Sequence, residues 1–93
     1  MTEMELRIKS MIAAELRLDE EQLTGDLTLE DLGFDSLTSA EVLMAIEKRL
    51  GRAIGSARLM ESFNEDTSID EMIAVVAATA QASKAAADVS GTT

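Results

Sequence analysis

One short run in this chain has residue types and a spacing that could do chemistry: Asp31-Leu32-Gly33-Phe34-Asp35-Ser36-Leu37. A serine at the opening of a helix holds its hydroxyl beside unsatisfied backbone amides and the positive end of a dipole, a place that tolerates a phosphate diester. Gly33 allows a sharp turn into the helix. Phe34 can anchor that turn in a core and so fix where Ser36 points, while Asp35 can cap the free amides and meet the dipole. These features suit a serine that another enzyme modifies. They do not suit one that catalyses, because a nucleophilic serine needs a base within hydrogen-bond reach and the chain has no His. The Gly-x-Ser-x-Gly elbow is absent too, the run being Gly33-Phe34-Asp35-Ser36-Leu37-Thr38. Taken alone, an Asp-Ser pair is ordinary first-turn chemistry of a helix, so the surrounding pattern has to decide between the two readings.

Positioning such a serine requires a scaffold, and the periodicity predicts four helices. Thr2 with Glu5 three residues on forms a capping box for the first, whose stripe is Met4, Ile8, Met11, Ile12 and Leu16. Residues 18 to 35 lose that period and read as a long loop, laid over the helices through Leu23, Leu27, Leu29, Leu32 and Phe34. The second helix is expected from Ser36 to Leu50, stopping at Gly51, with Val42, Leu43, Ile46 and Leu50 inside and Leu37, Ala40, Glu41, Met44 and Lys48 outside. A short third helix covers Ala57 to Ser62. The last starts at Ser68 with Glu71 three residues on, and its stripe is Ile69, Met72, Ile73, Val76, Ala77 and Ala80. The expected fold is an all-α four-helix bundle, three main helices and one short, with a long ordered loop between the first and second. One domain spans residues 1–80, and the small, polar segment 81–93 reads as a frayed or disordered tail.

Ninety-three residues suffice for one domain. Scarce Val and abundant Ala, Leu, Met and Glu favour helix over sheet. A formal charge of −10 repels nucleic acid and anionic lipid, attracts basic patches on protein partners and favours a monomer. Without Cys or His there is no thiolate, no imidazole base and no zinc site of the usual kind, so the chain is not expected to be an enzyme or to hold a metal. The calcium-loop ligand spacing is missing between Asp26 and Gly33. The acidic start lacks the pattern of a secretion signal, and no apolar stretch is long enough to span a bilayer, so a cytoplasmic location without membrane association is expected.

Leu32-Gly33-Phe34-Asp35-Ser36-Leu37, followed by Ala40-Glu41 and by a helix ending Glu47-Lys48-Arg49-Leu50-Gly51, closely resembles the phosphopantetheine attachment motif of acyl carrier proteins. Length, acidity, helix order and loop placement extend the resemblance over residues 3 to 80, and a discrete carrier is expected. The resemblance implies a 4′-phosphopantetheine arm esterified to Ser36, installed by a phosphopantetheinyl transferase. Its thiol would carry acyl groups as thioesters, which explains how a Cys-free chain could serve thioester chemistry. It also implies that Val42, Leu43, Ile46 and the last helix could line a cleft for an aliphatic chain, although for any one of these residues plain core is the safer reading.

By the same resemblance, Asp35, Glu41 and Glu47, with Leu37 and Met44 between them, match positions that dock on basic patches of acyl-loading and acyl-transferring enzymes. Each could equally belong to a solvated helix face. Asp-Ser-Leu-Thr is closer to carriers of polyketide and other specialised-metabolite synthesis than to those of fatty-acid synthesis, which remains the alternative. A peptidyl carrier is disfavoured because those show Gly-Gly-x-Ser. A helical interaction domain whose serine is never modified is the alternative from another class. One departure stands out: Lys48, Arg49, Arg52 and Arg58 cluster after the middle of the second helix. The dipole rule accounts for Lys48 and Arg49, and Arg52 with Arg58 suggests a surface with its own partner preference.

Overall fold

The computed structural model describes residues 2–92, with side chains described through residue 82. Four helices follow in order: α1 (Glu3–Leu16), α2 (Ser36–Leu50), α3 (Ser56–Ser62) and α4 (Ile69–Thr92). Among the described residues there is no strand, only an isolated antiparallel bridge between Thr28 and Ser68. The fold is all-α, as the periodicity predicts. Of the expected tail, residues 81–93, the first two lie on α4 with exposed side chains, and from residue 83 onward it lies outside the described side chains.

Local sequence sets the helix ends. Thr2 and Glu5 exchange bonds across the start of α1, Thr2 N donating to Glu5 Oε1 at 2.8 Å and Glu5 N to Thr2 Oγ1 at 3.1 Å. The Thr2 amide and then its hydroxyl hold the Glu5 carboxyl below its ordinary value of 4.5. α1 ends at Leu16 with Arg17 in the left-handed region at φ 58°, a conformation unusual for a side-chain-bearing residue. Ser68 caps α4, its Oγ accepting from Glu71 N at 3.2 Å. Gly51 closes α2 at φ 68°, where only glycine is unstrained. α3 starts one residue earlier than expected, at Ser56.

α1 packs against both α2 and α4, and α2 packs against α3. Their inner faces form one core in which Ile8, Ile12, Leu43, Ile46, Ile69, Met72, Ile73 and Val76 are fully buried. Val42, Leu43 and Ile46 sit wholly within this cluster, in the role of core. Each buried aliphatic side chain contributes about 1.5–3 kcal/mol relative to exposure.

The segment between α1 and α2 is ordered and contains an unexpected 3-10 turn, Glu20–Gln22. Leu23, Leu29 and Phe34 bury into the core from it, and Leu32 packs at the core's edge. Its backbone is also tied to the connection between α3 and α4. Leu29 N donates to Thr67 O at 2.9 Å, Ile69 N to Leu27 O at 2.7 Å and Glu30 N to Glu65 O at 3.1 Å. No described helix is long and apolar enough to cross a membrane.

Candidate functional site

The approach to Ser36 is a closed turn. Thr28 and Asp31 cap one another, Thr28 N donating to Asp31 Oδ2 at 3.0 Å and Asp31 N to Thr28 Oγ1 at 3.1 Å. Gly33 then takes φ 75°, which lets Phe34 N turn back to Leu29 O at 2.8 Å. Phe34 is buried and points into the core, so the next two residues emerge at a defined place.

Asp35 is the N-cap of α2, its Oδ1 accepting from Thr38 N at 2.7 Å. The Thr38 amide, and then its hydroxyl, hold the Asp35 carboxyl below its ordinary value of 3.8, with smaller help from the Asp35 and Leu37 amides. Because the folded value is the lower one, this capping contribution is fully present above pH 3.8. It is lost as pH falls through the folded value. A carboxyl-detected NMR titration should place the Asp35 midpoint below 3.8, and Asp35→Asn should flatten that part of the acid unfolding curve. A midpoint at or above the ordinary value would remove the cap from the account.

Ser36 is the first residue of α2 and is exposed. Beside it lies a cleft of about 290 Å³ lined by Phe34, Ser39, Met60, Phe63 and Glu65 together with Asp35 and Ser36. Spacing along the chain could not reveal this cleft, because its far wall comes from α3 and the loop after it. Glu65 also joins Glu30 and Asp66, whose exposed carboxylates lie within 4.8 Å of one another. Exposed acids in such a group could hold a cation, and they are common on surfaces of this charge. The sequence offers no His or Cys to activate the serine.

Leu37, Glu41 and Met44 lie together on one exposed face of α2, with Leu37 67% and Met44 62% accessible. Glu47 is drawn elsewhere. Its Oε2 accepts from Ile54 N at 2.8 Å and its Oε1 from Ser56 Oγ at 2.6 Å, so both oxygens are used to hold the loop between α2 and α3. Two of the clustered bases also have partners within the chain. Arg49 Nη2 reaches Glu15 Oε1 at 3.4 Å, a half-exposed pair of small energetic weight. Arg52 Nη1 donates to Ala80 O at 3.1 Å and ties the loop to α4. Lys48 and Arg58 are exposed.

The chain is 39% identical over 56 residues to the non-reducing polyketide synthase ausA of Emericella nidulans, a match covering 60% of this chain and 2% of that protein. Residues 6–76 match the family described as the phosphopantetheine attachment site, most of the chain and all of the turn, cap and serine described above. The chain therefore belongs to the phosphopantetheine-attachment family, acyl carriers that bear a covalently attached 4′-phosphopantetheine and are not themselves enzymes.

Proposed function

We propose that the prosthetic group is attached through Ser36 Oγ and that the chain carries acyl intermediates of polyketide or related specialised-metabolite synthesis. The observation that carries this reading is the exposed Ser36 hydroxyl, held at the first position of α2 by a capped helix and a buried Phe34. The polyketide assignment draws on the relative's own description and on Asp-Ser-Leu-Thr at positions 35–38.

The residues around Ser36 fit the group by access. The hydroxyl is open to solvent, and the adjoining cleft has Phe34, Met60 and Phe63 in its walls. The Asp35 carboxylate already accepts from the Thr38 amide, so that amide is not available to a phosphodiester on Ser36. Attachment forms a bond from Ser36 Oγ to the β-phosphorus of coenzyme A and releases 3′,5′-ADP, the hydroxyl proton passing to the transferase. Once bound, the group supplies a terminal thiol that this chain lacks. The remaining work of the chain is to present that thiol. A flexible tether raises the local concentration of the acyl group at whichever enzyme is docked.

Docking is assigned to Leu37, Glu41 and Met44, where two apolar contacts flank an acid suited to a basic patch on a transferase or synthase. Asp35 adds negative charge at the same end. Incubating the full chain with coenzyme A and a broad-specificity phosphopantetheinyl transferase should add one phosphopantetheine by intact-protein mass spectrometry. Peptide mapping should place it on the fragment containing Ser36. An unmodified chain beside a fully modified control carrier would sink the proposal.

A further inference from the structure

The far end of α2 has a character opposite to its start. Between residues 42 and 60 the one acid is Glu47, set against Lys48, Arg49, Arg52 and Arg58, in a chain whose net charge is −10. Glu47 offers little to a visitor, since both its oxygens already accept bonds from the loop. Here an open groove of about 640 Å³ runs along Met44, Ala45, Glu47, Lys48, Arg52 and Ala53, with apolar side chains in its wall, two bases beside them and the Glu47 carboxylate held by the loop. A second groove of about 630 Å³ meets it at Ala53 and is bordered by Arg58.

The geometry points to a second docking surface, formed by the C-terminal half of α2 and the loop to α3, that binds an acidic segment of a partner protein bearing an apolar anchor residue. Charge complementarity selects this occupant. Lys48 and Arg58 are exposed cations on the rim, and Met44, long and unbranched, offers an adaptable apolar contact. Overall negative charge does not forbid it. Lys48 lies twelve residues beyond Ser36, about 18 Å along the helix at 1.5 Å per residue. That is roughly twice the Debye length of about 8 Å at physiological ionic strength, so Asp35 at the Ser36 end is largely screened there, while Glu41, seven residues before Lys48 and about 10 Å away, is screened only in part. Helix α2 thus presents an acidic end to basic partners and a basic end to acidic ones, with Met44 between them. This surface shares Met44 with the docking face for basic partners but contains neither Ser36 nor its cap, and it stands whether or not Ser36 is the modified residue.

The test uses the isotopically labelled full chain at physiological salt, titrated with a short synthetic peptide rich in Glu around one central Leu. Amide shifts should concentrate on Met44, Lys48, Gly51, Arg52 and Ala53. The double variant Lys48→Glu/Arg58→Glu should bind the peptide about tenfold more weakly. The same variant should accept phosphopantetheine as wild type does, which separates loss of this surface from loss of the attachment site. Scattered shifts, equal affinity for a Gln-for-Glu peptide, or unchanged binding by the double variant would each overturn the inference. So would concentration-dependent shifts of these amides without peptide, which would assign the groove to a second copy of the chain.

Discussion

Ser36→Ala is expected to gain no phosphopantetheine under conditions that modify the wild-type chain completely. The argument is local. Ser36 is exposed at the first position of α2, whereas Ser39, one turn on and also at the cleft, is 9% accessible and faces inward. Ser39→Ala should therefore still load in full. Capping of the helix belongs to Asp35 and not to Ser36, so the alanine variant should keep its stability to within about 0.5 kcal/mol. Intact-protein mass spectra and a thermal melt separate loss of the acceptor from loss of the fold. A Ser36→Ala chain that loaded normally would move the attachment point elsewhere.

Phe34→Ala should damage the fold and the site together. The ring is 8% accessible and joins the core from a loop, with helices on its other sides. Truncating a buried Phe costs about 3–5 kcal/mol through lost transfer energy and the cavity left behind. Small domains have only about 5–15 kcal/mol in total. At roughly 4–8 °C per kcal/mol, the midpoint of thermal unfolding should fall by about 12–40 °C. The turn's backbone bonds remain possible, but the entry to α2 loses its aromatic anchor in the core. Loading measured well below the new midpoint should be slower than wild type. Phe34→Leu, which keeps much of the volume, should lose far less on both measures. A Phe34→Ala chain that melted and loaded like wild type would deny the ring its anchoring role.

Features written into short stretches of sequence were readable before the structure. Thr2 with Glu5, Asp35 before Ser36, Gly51, and Ser68 with Glu71 each mark a helix end through bonds spanning only a few residues. The buried stripe of α4 follows directly from its period, from Ile69 to Ala80. What escaped was set by contacts between segments distant in sequence. The 3-10 turn at Glu20–Gln22 has its own small cap, Asp19 N donating to Gln22 Oε1 at 2.8 Å, within a stretch that carries no periodic signal. Glu47 sits in a helix position that reads as outward, and only the path of the following loop shows its carboxylate bonded to Ile54 and Ser56. Arg52 gains its partner from Ala80, on a helix whose packing distance no sequence spacing gives. At the site itself, the serine, its cap and its anchor were legible, and the cleft wall from Met60 to Glu65 was not.

The pairing of Leu27, Leu29 and Glu30 with Glu65, Thr67 and Ile69 ties the two irregular stretches of the chain into one mechanical unit. The platform under Ser36 is consequently not a free loop, because it is sewn to the first turn of α4 and shares that helix's anchorage in the core. An enzyme that grips the carrier near the serine pulls on both connections at once. Compliance in loading and delivery then has to come from the arm, while the protein beneath behaves as a stiff handle.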